Sequence, residues 1–104
     1  MGMSVNGFTW DEGNLEKYQK HGVSVAEIES LFQRPIAILP DPAHSGSETR
    51  FKAIGKSDQG RSILIVFTLR RRQDETLIRP ISARYMHKKE VDYYEEEIAK
   101  TKDR

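Results

Sequence analysis

Ile63-Leu64-Ile65-Val66-Phe67 is the longest run of the chain that is apolar at every position. A strand with one wet face alternates apolar and polar residues, so a run without alternation needs apolar cover on both sides. This constrains the fold more than any other feature: the run must be the central strand of a sheet with further structure packed on each face. With 104 residues, 37% of them hydrophobic, the chain can fill one modest core. We therefore expect a single domain over residues 1–104, with its core between about 8 and 100. Cysteine is absent, which excludes disulfide frameworks, thiolate zinc sites and cysteine nucleophiles together.

The flanking segments suit that central strand. Phe8-Thr9-Trp10 has strand character, and Asp11 is a good N-cap for a helix running from Glu12 to His21. Gly22 supplies the left-handed residue that ends it. Ser24 and Glu27 then form a capping box, with Val23 and Ile28 as its staple, for a second helix that buries Ile28, Leu31 and Phe32 and stops at Pro35. Ile36 to Leu39 reads as a short strand, and Pro40 to Ser47 as an exposed loop. Strands at Arg50–Ile54, Ser62–Thr68 and Thr76–Arg84, joined by turns at 57–60 and 71–74, imply an antiparallel meander. His87 to Lys100 carries Val91, Tyr94 and Ile98 on one helical face. The expected order is β-α-α-β-β-β-β-α: an α+β domain whose small antiparallel sheet has about four strands plus a short N-terminal strand, two N-terminal helices and one C-terminal helix.

Charge is distributed unevenly. The net charge is only +1, yet residues 1–49 hold 3 basic and 7 acidic side chains, residues 50–89 hold 11 and 3, and residues 90–104 hold 3 and 6. A basic block on adjacent strands can form a phosphate-binding surface. Arg50, Arg61, Lys88 and Lys89 of this block are candidates for contacts to phosphate. His87, Lys88 and Lys89 open the last helix while Glu95 to Glu97 lie toward its end, both against the macrodipole, so an anionic ligand at the helix start is one explanation.

Strict alternation would put Arg79 and Arg84 on opposite faces of their strand. Pro80 favours an edge or a bulge, and one extra residue would bring both guanidinium groups to the same side. Planar, permanently charged guanidinium suits a scissile phosphate and its transition state; structural ion pairs with the chain's acids are the alternative. Lys20 and His21 end a helix, where the dipole favours cations without any function. His21 is nevertheless the best placed of the three histidines for proton transfer, since His44 lies in a loop and His87 opens a helix. The histidines share no metal-ligand spacing, and neither a serine nucleophile elbow nor a phosphate-cradling glycine loop is present, so we expect no metal and no cofactor.

Taken in order, Trp10-Asp11, Lys20-His21-Gly22-Val23-Ser24, Asp41-Pro42, His44-Ser45, Glu48, Arg50-Phe51, Gly55, Gly60-Arg61, Ile81-Ser82-Ala83-Arg84, Glu90 and Tyr94 form a pattern. The chain thereby resembles the BrnT family of bacterial type II toxins, from about Phe8 to Tyr94. That resemblance implies a RelE-like fold and a metal-independent endoribonuclease that inhibits translation by general acid-base activation of a 2′-OH. It also implies neutralisation by a BrnA-type ribbon-helix-helix antitoxin, and operator DNA contacted only through that antitoxin in a co-repressing complex. Carried onto this sequence, Arg79 and Arg84 become candidates for phosphate and transition-state stabilisation, Lys20 and His21 for proton transfer or positioning, and Arg50 and Arg61, with Lys88 and Lys89, for contacts to RNA phosphates. Pro80 and Lys17 depart from the family pattern, in which an apolar residue and an asparagine are usual.

A degenerate, non-catalytic toxin-like module acting through antitoxin or RNA binding is the competing reading. Met1 to Val5 carry no signal-peptide pattern, and no apolar run reaches the roughly 18 residues that span a membrane, so a soluble cytoplasmic protein without membrane contact is expected.

Overall fold

The computed structural model describes residues 6–34, 36–42, 46 and 48–102. The element order is β1 (Gly7–Phe8), α1 (Glu12–Lys20), α2 (Val25–Phe32), β2 (Ala37–Pro40), β3 (Phe51–Lys56), β4 (Ser62–Arg72), β5 (Glu75–Tyr85) and α3 (Lys88–Lys102). This is the expected α+β order. The five strands form one sheet in the order β1-β5-β4-β3-β2, so the apolar run lies on the central strand, β4. The meander β2 to β5 is antiparallel, but β1 joins β5 in parallel, which makes the sheet mixed.

Local chemistry sets the helix ends. The Asp11 carboxylate accepts from the Gly13 and Asn14 amides at 3.0 and 3.3 Å, satisfying donors that a helix start leaves open. These amides, Asn14 foremost, together with Arg79 hold its carboxyl below the usual carboxylate range. Gly22 has φ +80°, as the left-handed turn between α1 and α2 requires. The Ser24–Glu27 capping box is complete in both directions. Of the expected stop after α2, Pro35 lies outside the described residues, as do Ala43, His44, Ser45 and Ser47 of the expected loop. Asp41, expected in that exposed loop, is instead buried at 3% exposure; its amide donates to the Arg50 carbonyl oxygen at 2.9 Å, which ties the end of β2 to the start of β3.

The odd residues of β4, Ile63, Ile65 and Phe67, face α1 and α2 and form the main core with Tyr18, Val23, Ile28, Leu31, Ala53, Ile78 and Ala83. Phe8, Phe32, Phe67 and Phe51 continue this core as a ladder of rings whose successive centroids are 5.4–5.6 Å apart, in stacked and edge-on contacts. Gly55 lets α2 sit this close to β3, since a Cβ there would lie 2.8 Å from Ile36 Cγ2 and 3.3 Å from Leu31 Cδ1. The even residues Leu64, Val66 and Thr68 face the other side, over which α3 lies. Both faces of β4 are thus covered, although α3 carries no fully buried residue among those described.

The β4–β5 ladder contains one bulge. Val66 pairs with Ser82 and Phe67 with Pro80, leaving Ile81 as the extra residue. Pro80 needs no amide partner at this point. Its carbonyl oxygen accepts from the Tyr18 hydroxyl and, at 3.3 Å, from Asn14 Nδ2, which fastens α1 along β5. Burial pushes the Tyr18 hydroxyl well above the usual tyrosine range, so it remains a donor.

Candidate functional site

The bulge decides where the two arginines go. Thr68 pairs with Arg79 and Leu64 with Arg84, so both arginines start from the α3 side of the sheet. They then diverge. Arg79 reaches the β1 edge, where its guanidinium lies 3.5 Å from the Asp11 carboxylate. Arg84 donates to both oxygens of Glu90, at 2.8 and 2.7 Å.

Arg84 is one wall of a cavity of about 280 Å³ between the sheet and α3; Arg50, Lys52, Ser82, Tyr94 and Asp41 supply its other polar lining. Alternation explains the convergence. Lys52 on β3, Val66 on β4 and Ser82 on β5 stand in one cross-strand row, flanked by the Leu64–Arg84 row. Lys52 Nζ donates to the Tyr94 hydroxyl at 3.2 Å, lies 3.9 Å from the Asp41 carboxylate and sits 5.5 Å from the Tyr94 ring centroid. The Tyr94 hydrogen bond, reinforced by the Asp41 charge, outweighs burial and holds the lysine above its usual range, so it stays cationic. Three cations, Lys52 on β3, Arg84 on β5 and Arg50 just ahead of β3, thus line one concavity, the arrangement that binds phosphate and neutralises charge developing on it.

The remaining basic block divides instead of converging. Arg70 is paired with Glu48 at 2.9 Å, and Arg71 and Arg72 are exposed beside the two-residue turn at Gln73-Asp74, both with positive φ. Lys20 and His21 are exposed at the α1–α2 corner, on the helical side of the sheet and away from the Arg84 cavity. Arg61 lies near that corner, with its guanidinium carbon 3.5 Å from the Tyr85 ring centroid. Lys88 is 89% exposed and 3.8 Å from Asp92, and Lys89 is exposed.

The anion expected at the start of α3 is the chain's own Glu90. Besides Arg84, it accepts from the His87 amide at 3.3 Å. The Arg84 hydrogen bond, helped by that amide, lowers its carboxyl to about 2. Cations in the first turn of α3 therefore require no ligand.

Lys52, Tyr94, Asp41 and Ser82 are the cavity residues to which sequence reasoning gives no role. Alternation of Arg50 with Lys52 carried a signal for the first; the approach of α3 and the burial of Asp41 are tertiary facts with no local signature. No cluster of three or more metal-ligating side chains occurs among the described residues, and no described helix is long and apolar enough to cross a membrane.

Comparison with curated proteins returns no match. Residues 10–90 match the family described as "Ribonuclease toxin, BrnT, of type II toxin-antitoxin system". This span includes α1, the whole sheet beyond β1, and five of the cavity's polar groups (Asp41, Arg50, Lys52, Ser82 and Arg84), and stops at Glu90. By that match over most of its length, the chain belongs to the BrnT family of type II toxin-antitoxin ribonuclease toxins.

Proposed function

We propose that this chain is a metal-independent endoribonuclease toxin whose chemistry takes place in the cavity lined by Arg50, Lys52, Arg84 and Tyr94. The observation that carries this reading is the convergence of three cations on one concavity, beside a tyrosine and a carboxylate. In the reaction, a 2′-OH attacks the adjacent phosphorus to form a 2′,3′-cyclic phosphate, the bond to the 5′-oxygen breaks, that oxygen takes up a proton from solvent, and negative charge grows on the non-bridging oxygens in the transition state. Arg84 and Arg50 hold those oxygens by guanidinium forks, and Lys52, kept protonated by its surroundings, adds a point charge that substitutes for a metal ion. Asp41, the acid among the lining residues, accepts the 2′-OH proton. Lys20 and His21 lie outside this chemistry and contact RNA from the α1–α2 corner, while Arg79 serves the junction with Asp11.

Cleavage of messenger RNA inhibits translation. A BrnA-type ribbon-helix-helix antitoxin neutralises the toxin, and the complex co-represses its operon, with operator DNA bound through the antitoxin alone. The decisive assay compares RNA cleavage by the purified full chain with that by Arg84→Ala, Lys52→Ala and His21→Ala, each assayed well below its own thermal midpoint. Loss of about a hundredfold or more is expected for the first two and little for the third. Parental rates in Arg84→Ala and Lys52→Ala would remove this site from the chemistry.

A second reading, a non-catalytic toxin-like binding module, is favoured by the two-oxygen engagement of Arg84 by Glu90. It requires intact RNA in the same assay with antitoxin binding retained.

A further inference from the structure

At the end of β5 beyond Arg84, a second cleft of about 400 Å³ is lined by Arg61, Ser62, Tyr85, Lys88, Asp92 and Glu95, among others. Its volume falls within the roughly 300–1,000 Å³ of small-ligand sites. The proposed cleavage chemistry does not use it. Its most ordered feature is a ready-made stack: the Arg61 guanidinium lies 3.5 Å from the Tyr85 ring centroid. The far end of that ring is fixed, because the Tyr85 hydroxyl lies 2.8 Å from both Glu27 oxygens and 3.2 Å from the Gly22 carbonyl oxygen. Burial and the Glu27 hydrogen bond raise the hydroxyl above the ordinary tyrosine range, so the ring stays neutral beneath its cation. Tyr85 thereby joins the Lys-His-Gly-Val-Ser motif to the Ile-Ser-Ala-Arg motif.

The polar groups of the cleft are underused within the chain. Among the described residues, the Arg61 guanidinium has no hydrogen-bonded or ion-paired partner, the Glu95 carboxylate has none, and Asp92 meets only Lys88, at 3.8 Å. In the Arg84 cavity each carboxylate is matched by a cation, Asp41 by Lys52 and Glu90 by Arg84, whereas here Glu95 has none among the described residues, and with Asp92 it would repel a phosphate. A nucleobase suits the set better. Its flat face stacks on a guanidinium plane, and the N–H groups on its edge donate to carboxylates. Guanine alone among the four RNA bases presents two neighbouring donors, N1–H and the N2 amine, on its Watson–Crick edge.

We infer that this cleft is a base-reading subsite with a preference for guanine, an inference that rests on the ribonuclease reading and gives that reading its sequence preference. Arg84 and Tyr85 are consecutive on β5 and project to opposite faces, so a single strand of RNA rounding the sheet end at Ser62 reaches the cavity and the cleft in turn. Arg61 here binds a base rather than a backbone phosphate.

The test titrates the full chain with the 5′-monophosphates of guanosine, inosine, adenosine and uridine, following the NMR signals of the Arg61 Nε–H and the Tyr85 ring. Every probe carries the same phosphate, so differences report the base. Guanosine monophosphate is expected to bind at least about fivefold more tightly than the adenosine and uridine compounds, with inosine, which lacks the N2 amine, between them. Arg61→Lys should lose the shifts as fully as Arg61→Ala, because an ammonium keeps the charge and cannot stack. Asp92→Asn and Glu95→Gln, both exposed and safe for folding, should bring guanosine down to the adenosine level. Equal affinity for the four nucleotides, shifts confined to the Arg84 cavity, or a preference retained in Arg61→Lys or in the two amide variants would each overturn the inference; equal affinities would leave the carboxylates to a cationic partner surface. RNA cleavage measured in parallel separates the two readings. An inert protein that prefers guanosine keeps the base site and loses the ribonuclease, whereas an active one without preference loses the base site alone.

Discussion

Arg84 and Glu90 form a two-pronged pair, with guanidinium nitrogens 2.8 and 2.7 Å from the two carboxylate oxygens, that joins the end of β5 to the first turn of α3. It is the firmest polar tie of α3 to the sheet, and it orients the cation that the proposed chemistry needs. Both side chains are partly exposed, at 42% and 30%, so the pair contributes on the order of 0.5–1 kcal/mol to stability.

That contribution has a definite pH dependence. The Glu90 carboxyl is lowered in the folded state from 4.5 to about 2, so its stabilisation is complete above the higher value and drains away as pH falls toward the lower. Thermal midpoints of the parent and Glu90→Gln should differ most near neutrality and converge by about pH 2. A gap of constant size across that range would assign the stabilisation to something other than this carboxylate.

Lys52 remains cationic and faces the cavity, so its removal should weaken RNA binding in a salt-dependent way. Fluorescence anisotropy with RNA blocked at the 2′-position is expected to show the log–log salt slope of Lys52→Ala reduced by about 0.7, the value for one phosphate contact on a single strand. An unchanged slope would place Lys52 outside the RNA interface.

Thr68 sits one cross-strand row from Lys52 at 1% exposure, and its hydroxyl oxygen has no hydrogen-bond partner among the described residues. Thr68→Val replaces an unsatisfied polar atom by a methyl of similar size and should stabilise the protein by about 1 kcal/mol in denaturant unfolding. A loss of stability would show that the hydroxyl is satisfied in solution.

Tyr18 is fully buried and its hydroxyl donates to the Pro80 carbonyl oxygen. Tyr18→Phe should therefore cost about 1 kcal/mol, a fall of about 4–8 °C in thermal midpoint for a chain of this size. The loss stays modest because Asn14 Nδ2 still serves that oxygen. A neutral substitution would mean that Asn14 alone fastens α1 to β5.

The parts of this fold that are legible in the sequence are those whose cause is local. Asp11, Gly22 and the Ser24–Glu27 box act within one helical turn, and the unbroken apolar run of β4 announces cover on both faces. The parallel seat of β1 on β5 is not legible, because it depends on two segments at opposite ends of the chain meeting. For the same reason the basic block reads as one surface although its members are dispersed over several. Which acid reaches Arg70, Arg79 or Arg84 depends on where Glu48, Asp11 and Glu90 arrive in space. The candidate cavity was half legible: Arg50 and Arg84 stand out as cations in strands, whereas Lys52 gains significance only when Tyr94 comes down on it from α3.

The extra residue at Ile81 works like a frameshift in the strand. Arg79 and Arg84 are an odd number of positions apart, and in an unbroken ladder such residues never share a surface. Forcing Ile81 into an ordinary rung, with no residue removed, would abolish the bulge and swing one half of β5 through half a turn relative to the other. Either Arg84 would enter the core in place of Ala83, or Arg79 would exchange places with Ile78. The bulge is therefore as much a functional property as the identity of the two arginines, and a single-residue insertion that is absorbed into the ladder here should be harsher than most substitutions.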